Sequence, residues 1–217
     1  MVYGGITRPI GEQNMKKLAL AAMIGMLSAG AFAAQGDILA RFRVINVDPS
    51  ASWSNSGLVS GLSVDAKNAT VPEIDFTYMI TNNIGAELIL GTSRHKITAN
   101  GADIGKVSVL PPTLTAQYHF APEATFRPYV GAGINYTRFY STGLNALGTP
   151  LSVKNNSFGP ALQVGADYAI NKSWFINVDV KKLWIQTDVT ADKLGGAKLG
   201  TLHVDPWVFG IGVGTKF

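Results

Sequence analysis

From Phe126 to Arg138 the side chains alternate in kind. Phe126, Pro128, Val130, Ala132, Ile134 and Tyr136 occupy the even positions, and Arg127, Tyr129, Gly131, Gly133, Asn135 and Thr137 the odd ones. Alternation with period two predicts a β-strand between two different surroundings, because successive side chains point to opposite faces. A soluble sandwich and a membrane barrel both provide that, and the aromatics separate them. Phe126 and Tyr136 stand ten residues apart on the apolar face. Ten residues at roughly 3.3 Å rise and about 40° tilt climb roughly 25 Å, the height of the apolar band of an outer-membrane barrel, whose edges carry aromatic girdles.

Seven further segments repeat the pattern. The first, about 36 to 47, sets Ile38, Ala40, Phe42 and Val44 against Arg41 and Arg43; the second, about 72 to 81, sets Ile74, Phe76, Tyr78 and Ile80 against Asp75 and Thr77. A turn at Asn82 and Asn83 follows, since Asn tolerates the left-handed backbone of tight hairpins. The third, Ile84 to Gly91, turns Ile84, Ala86, Leu88 and Leu90 outward and Glu87 and Ile89 inward. The fourth, about 107 to 120, opposes Leu114, Tyr118 and Phe120 to Thr113, Thr115, Gln117 and His119. Pro111 and Pro112 within it donate nothing to a ladder, so a bulge or break is expected there. The sixth, Phe158 to Ile170, sets Phe158, Leu162, Val164, Ala166, Tyr168 and Ile170 against Gly159, Gln163, Gly165 and Asp167; the seventh and eighth cover about 174 to 188 and 203 to 217.

Phe158 and Tyr168, Trp174 and Trp184, and Trp207 and Phe217 keep the ten-residue spacing of Phe126 and Tyr136. A soluble core gives aromatics no reason to hold that distance, whereas two membrane interfaces do. Links after the second, fourth and sixth segments are short and the others long, which puts both termini on the periplasmic side. The expected fold is all-β: an eight-stranded antiparallel transmembrane β-barrel with short periplasmic turns, longer extracellular loops and no free sheet edge. Lys182 falls on the lipid-facing phase, eight residues above Trp174. A climb of roughly 20 Å places it just below the upper girdle, where its amine reaches the interface; a bulge at Lys181 and Lys182 would serve equally.

The 217 residues are 47% hydrophobic and 15% charged, with 24 Gly and no Cys. Absent cysteine rules out a disulfide scaffold and thiolate metal sites. The formal charge of +4 lacks the basic run or aromatic-basic patch of a nucleic-acid protein. Residues 15 to 33, MKKLALAAMIGMLSAGAFA, read as a Sec signal peptide: two lysines, an apolar run too short to span, then Ala31 and Ala33 at signal-peptidase spacing. A permanent anchor is the alternative. Residues 1 to 14 then form an upstream extension outside the mature protein, and 34 to 217 the barrel.

Several motifs occur in order along the mature chain: NIGAELIL from Asn83, RHKI from Arg94, LPPTL from Leu110, FRPYVGAGINYT from Phe126, KLGGA from Lys193 and DPWVFG from Asp205. Together they resemble the outer membrane protein W (OmpW) family, of which the alkane-uptake protein AlkL is a related branch. The resemblance implies an eight-stranded outer-membrane barrel with a narrow apolar lumen, which takes up small hydrophobic molecules and releases them sideways into the membrane. It places a hydrophobic lumen constriction at Ile89, and Leu183 is a second apolar residue on the inward phase; either is otherwise simple packing in a narrow barrel. Pro111 and Pro112 mark a possible lateral exit, and Trp53, Leu58, Val59 and Leu62 in the first outer loop are candidates for solute capture. Lipopolysaccharide, membrane lipid, hydrophobic solutes and the barrel assembly machinery are the implied partners. Phe217 suits recognition by that machinery, although Thr215 stands where such chains commonly carry an aromatic.

Inward Arg41, Arg43, Glu87, Arg127, Asp167, Asp179 and Lys181 are expected to pair near the periplasmic half, since buried charges need partners. A narrow polar porin lined by them is the rival function, and a structural or adhesive barrel with partner-binding loops a third. His95, His119 and His203 are scattered, and their phase suggests no Ser-His pair, so no catalytic, cofactor or metal residue is expected. Gly131 and Gly133 precede no helix and read as wall residues relieving a crowded lumen.

Overall fold

The computed structural model describes residues 33–55, 61–146 and 148–217. The expected signal peptide up to Phe32, the upstream extension, and Leu58 and Val59 lie outside them. In chain order the strands are β1 (Ile38–Asp48), β2 (Ser52–Asn55), β3 (Val64–Ala66), β4 (Ala69–Met79), β5 (Ile84–Gly91), β6 (Ser93–Ala99), β7 (Ala102–Leu110), β8 (Thr113–His119), β9 (Phe126–Ala146), β10 (Thr149–Val153), β11 (Asn156–Ala169), β12 (Trp174–Leu183), β13 (Gln186–Ala191), β14 (Ala197–His203) and β15 (Trp207–Lys216).

Eight of these close a ring. β1 pairs β4, β4 pairs β5, β5 pairs β8, β8 pairs β9, β9 pairs β11, β11 pairs β12, β12 pairs β15 and β15 returns to β1, all antiparallel. Closure satisfies every strand from a neighbour, the condition for a sheet in lipid. Outward positions stay apolar and exposed, as at Phe42, Phe76, Leu114, Val130, Leu162 and Ile211. The lipid-facing alternation is the physical reason these segments are strands. The lower lumen is filled by polar side chains; a buried apolar cluster, including Ile45, Val109, Phe139, Leu183 and Val208, sits higher.

Three expectations change. The outer connections were read as loops; instead β3, β6 and β7 form one antiparallel array above the wall, and β10, β13, β14 and β2 another. Thus β9 runs for 21 residues, pairing β8 in its lower part and β7 above. The turn at Asn82 and Asn83 uses no left-handed asparagine, as neither residue has positive φ. The Thr81 hydroxyl accepts from the Asn83 and Ile84 amides instead, at 3.2 and 2.9 Å. No bulge occurs at Lys181 and Lys182, which pair in unbroken register with Gln163 and Leu162.

Gly131 does relieve the lumen, since a Cβ there would stand 2.9 Å from Gln163 Oε1. Gly133 answers a different need: a Cβ would strike the Leu114 carbonyl of the paired strand, so the glycine allows close backbone approach between β8 and β9.

Candidate functional site

Because inward residues recur every second position, each wall strand carries a column of lumen side chains, and the columns change character with height. On β1 the column reads Arg41, Arg43, Ile45, Val47; on β12 it reads Asn177, Asp179, Lys181, Leu183; on β5 Glu87 gives way to Ile89. The ring lines these columns up, and the lumen becomes two storeys.

The lower storey is a dense ionic network. Arg43 reaches Glu73 at 3.2 Å, Asp75 at 2.7 Å, Glu87 at 2.9 Å and Asp179 at 3.1 Å. Arg41 binds Asp167 through Nη2 at 2.9 Å and Asp75 at 3.0 Å, and donates to the Thr77 hydroxyl at 2.7 Å. Lys181 joins Glu73 at 2.6 Å and Asp179 at 2.8 Å. Tyr129 and Gln163 donate to Asp179 at 2.9 and 2.8 Å. Arg127 stacks 5.3 Å from the Phe175 ring centre, and His119 meets Gln117 at 3.1 Å. These groups are almost wholly shielded from solvent. The expected pairing of Arg41, Arg43, Glu87, Asp167, Asp179 and Lys181 is present. It climbs past the periplasmic half through Glu73, a partner that the sequence reading did not name although its phase was inward.

Above it lies a small apolar cavity of about 40 Å³. Ile45, Val47, Ile89, Leu183, Ile185 and Val208 line it, with Glu73 and Lys181 at its floor. A second cavity of about 20 Å³, lined by Ile97, Val107, Phe139 and Leu202, shares His95, Val109 and Val204 with the first. Ile89, opposite Asp75 and Thr113, and Leu183, opposite Ala161, therefore sit at the boundary between storeys.

The wall beside this cavity is interrupted. β5 pairs β8 up to Ile89 and Thr113, and pairing resumes between β6 and β7 at Ser93 and Val109. Between those pairs stand Leu90, Gly91 and Thr92 on one side and Leu110, Pro111 and Pro112 on the other. On the opposite flank the Pro112 carbonyl still accepts from Tyr136 N at 2.9 Å, so only one seam is affected. Gly91, Thr92 and Pro111 all border the apolar cavity. The Thr92 hydroxyl bridges part of the seam, donating to the Val109 carbonyl at 3.1 Å.

Trp53, half-buried on β2, packs against the upper apolar cluster beside Gly200 of β14, and Leu62 is half-buried before β3. The paired aromatics meet across strands: Phe126 opposes Tyr168 and Tyr136 opposes Phe158, while Trp174 opposes Thr215 and Trp207 opposes Lys182. Trp184 and Phe217 are also exposed on the outer wall. Lys182 donates to the Asp205 carbonyl and lies 5.1 Å from the Trp207 ring centre.

Two Ser-His contacts appear where none was expected. Ser93 Oγ lies 2.8 Å from His95 Nε2, and Ser54 Oγ lies 3.1 Å from His203 Nε2. Both occur in the upper arrays; Ser54, Ser93 and His95 fall in segments that the sequence reading took for loops, and His203 at the start of its eighth strand. His95 Nδ1 contacts the Lys67 carbonyl at 2.8 Å, and burial lowers the imidazole pKa despite that bond. Among the described residues no group of three or more His, Cys, Asp or Glu side chains could hold a metal.

A closed eight-stranded ring with a lipid-facing apolar exterior, a polar lower lumen and a short-turn end defines a small outer-membrane β-barrel. Comparison with known proteins narrows this class. The OmpW family model matches residues 34–217, and the chain belongs to that family. Outer membrane protein W of Escherichia coli is 44% identical over 217 residues, covering 94% of this chain and all of that one. The dibenzothiophene metabolism operon protein PahQ of Pseudomonas aeruginosa is 31% identical over 171 residues, 76% of this chain and 80% of its own. Among solved structures, OprG from Pseudomonas aeruginosa superposes with a TM-score of 0.79 at 29% identity, covering 87% of this chain and 99% of OprG. AlkL gives 0.68 at 29%, covering 88% and 93%. The protein is an outer-membrane barrel of that family.

Proposed function

We propose that the barrel passively takes up small hydrophobic molecules from the outside and releases them sideways into the membrane. The observation that carries this reading is the apolar cavity above a filled ionic floor, bordered by the interrupted seam between β5–β6 and β7–β8. An apolar solute gains about 25 cal/mol for each Å² it hides from water there, and the charged floor offers it no favourable way down. The seam at Gly91 and Pro111 leads instead towards lipid. Ile89 and Leu183 act as the constriction at the cavity floor, and Trp53 and Leu62 belong to the collecting surface above. The name of the PahQ relative, from an operon for an aromatic sulfur heterocycle, agrees with an apolar solute.

The leader ending at Ala33 and the terminal Phe217 fit export and delivery to the barrel assembly machinery. The deciding experiment is hydrocarbon uptake by cells with and without the protein. Replacing Pro111 and Pro112 together by valine adds one backbone donor to each flank, that of position 111 on the β5 side, and lowers uptake; unchanged uptake would refute the lateral exit. Planar-bilayer recording separates the porin reading, which requires steady ion conductance through the floor.

A further inference from the structure

Two depressions on the outside of the barrel lie one above the other and share β9 and β11. The lower is an apolar groove of about 890 Å³ bordered by Leu162, Val164, Val180, Trp184 and Trp207. Its floor follows from register: Ala116, Ala132, Leu162, Lys182 and Trp207 form one continuous row across β8, β9, β11, β12 and β15. Two alanines in that row leave a trough beside bulky neighbours, and a cation, Lys182, stands in it between Leu162 and Trp207 at the level of the outer girdle. Lys182 is held there by the Asp205 carbonyl and the Trp207 ring. Nothing in the lipid-facing pattern demands a lysine at this position, where an apolar side chain would cost no desolvation.

The upper depression, a cleft of about 550 Å³, continues up β9 and β11 and is otherwise built on β2, β13 and β14. Its lower edge is Tyr136 and Phe158, the outer girdle, and its sides carry Lys154, Lys198, Asn156, Gln186, Thr201 and His203. The set is rich in hydroxyl, amide and ammonium groups. Asp188 holds Lys198 at 2.7 Å and accepts from Thr201 at 2.8 Å, leaving Lys154 and Lys182 as excess positive charge. Apolar trough, interfacial cations and polar cleft are thus stacked in the order of an anionic glycolipid's acyl chains, phosphates and sugars.

We propose that this outer face of β11, β12 and β13 is a binding site for a phosphorylated glycolipid of the outer leaflet. Its acyl chain lies in the trough by Ala132 and Leu162. One phosphate meets Lys182 at the girdle, a second reaches Lys154 higher up, and the sugar occupies the cleft before Thr201 and His203. The site depends on the membrane placement of the barrel and not on its transport of any solute, so failure of the uptake reading leaves it standing.

The test uses the full barrel in nanodiscs of zwitterionic phospholipid, doped in turn with bis-phosphorylated lipid A, the same lipid A stripped of phosphate, and phosphatidylglycerol. Retained lipid is counted by native mass spectrometry. The expected result is preferential retention of the phosphorylated lipid A. A juxtamembrane lysine contributes about fivefold in affinity, so Lys182→Ala lowers retention by about that factor and the Lys154→Ala, Lys198→Ala pair by about thirtyfold, while Lys182→Arg retains it. All of these side chains are on the outer surface, and folding of each variant is checked by mobility of unheated samples. The Lys67→Ala, Lys96→Ala pair removes equal charge from the other outer array and leaves retention unchanged. Equal retention of all three lipids overturns the proposal. Phosphatidylglycerol matching lipid A overturns the glycolipid assignment, and equal loss in the Lys67, Lys96 variant reduces the effect to general surface charge.

Discussion

The lower and upper storeys of the lumen are built on the same strands by the same alternation, yet they hold together differently. Below, Arg43 faces four carboxylates within 3.2 Å, and Arg41, Lys181 and their partners extend the network across the barrel. Above, Ile45, Ile89, Leu183 and Val208 surround empty space. A charged interior tolerates no void, because each unpaired buried ion costs several kcal/mol. An apolar interior tolerates one at a lower cost and can leave room for a guest. The lower storey therefore closes the barrel, and the upper one keeps a chamber.

The sharpest way to break that contrast is to remove the hub of the network. Arg43→Ala leaves Glu73, Asp75, Glu87 and Asp179 short of a counter-charge and should destabilise the barrel by about 3 to 5 kcal/mol, read by denaturant unfolding in bilayers. A loss below about 1 kcal/mol would mean that water or ions already share the floor. In the upper storey, Ile89→Ala should cost about 2 kcal/mol, the low end for such truncations because one side already borders a cavity. The same variant widens the constriction, so uptake of bulkier hydrocarbons should rise relative to linear ones.

At the junction of the two upper cavities, His95 gives a smaller effect with a defined sign. Its pKa is lowered below the ordinary 6.5 by burial, so the native state prefers the neutral imidazole. Stability of the β6–β7 array is complete above pH 6.5 and declines as pH falls below it through the native pKa. Hydrogen exchange of β6 and β7 amides should speed up relative to the wall strands over that range, and His95→Gln should flatten the dependence. The smallest effect is expected at Lys96, whose pair with Asp103 at 2.8 Å is exposed. Lys96→Ala should change stability by about 0 to 1 kcal/mol, against the several lost at Arg43 for a contact of similar length.

Much of the wall was legible before any coordinates. Strand limits at Ile84, Phe126 and Trp174 coincide with the sequence reading, because lipid on one face enforces a hydrophobic residue at every second position. The outer arrays were not legible. Both faces of β13 (QTDVTA) and β14 (AKLGTLH) can meet polar surroundings, so their alternation carries no comparable constraint, and the Ser93 and His95 contact was hidden with them. Pro111 and Pro112 announced a break, but not which seam would part: the β9 side stayed bonded and the β5 side did not.

By itself the sequence determined the membrane, the phase of each strand and the depth of each girdle, since all three depend on spacing within one segment and on the length scale of the bilayer. Only the tertiary structure decided which inward residues meet. Arg41 finds Asp167 from 126 positions away, and Glu73 joins Lys181 from 108. Such pairs depend on the register of every ladder around the closed ring, a property of no single strand. The same closure stacks the apolar ends of the lumen columns into one chamber and sets it against the open seam at Pro111.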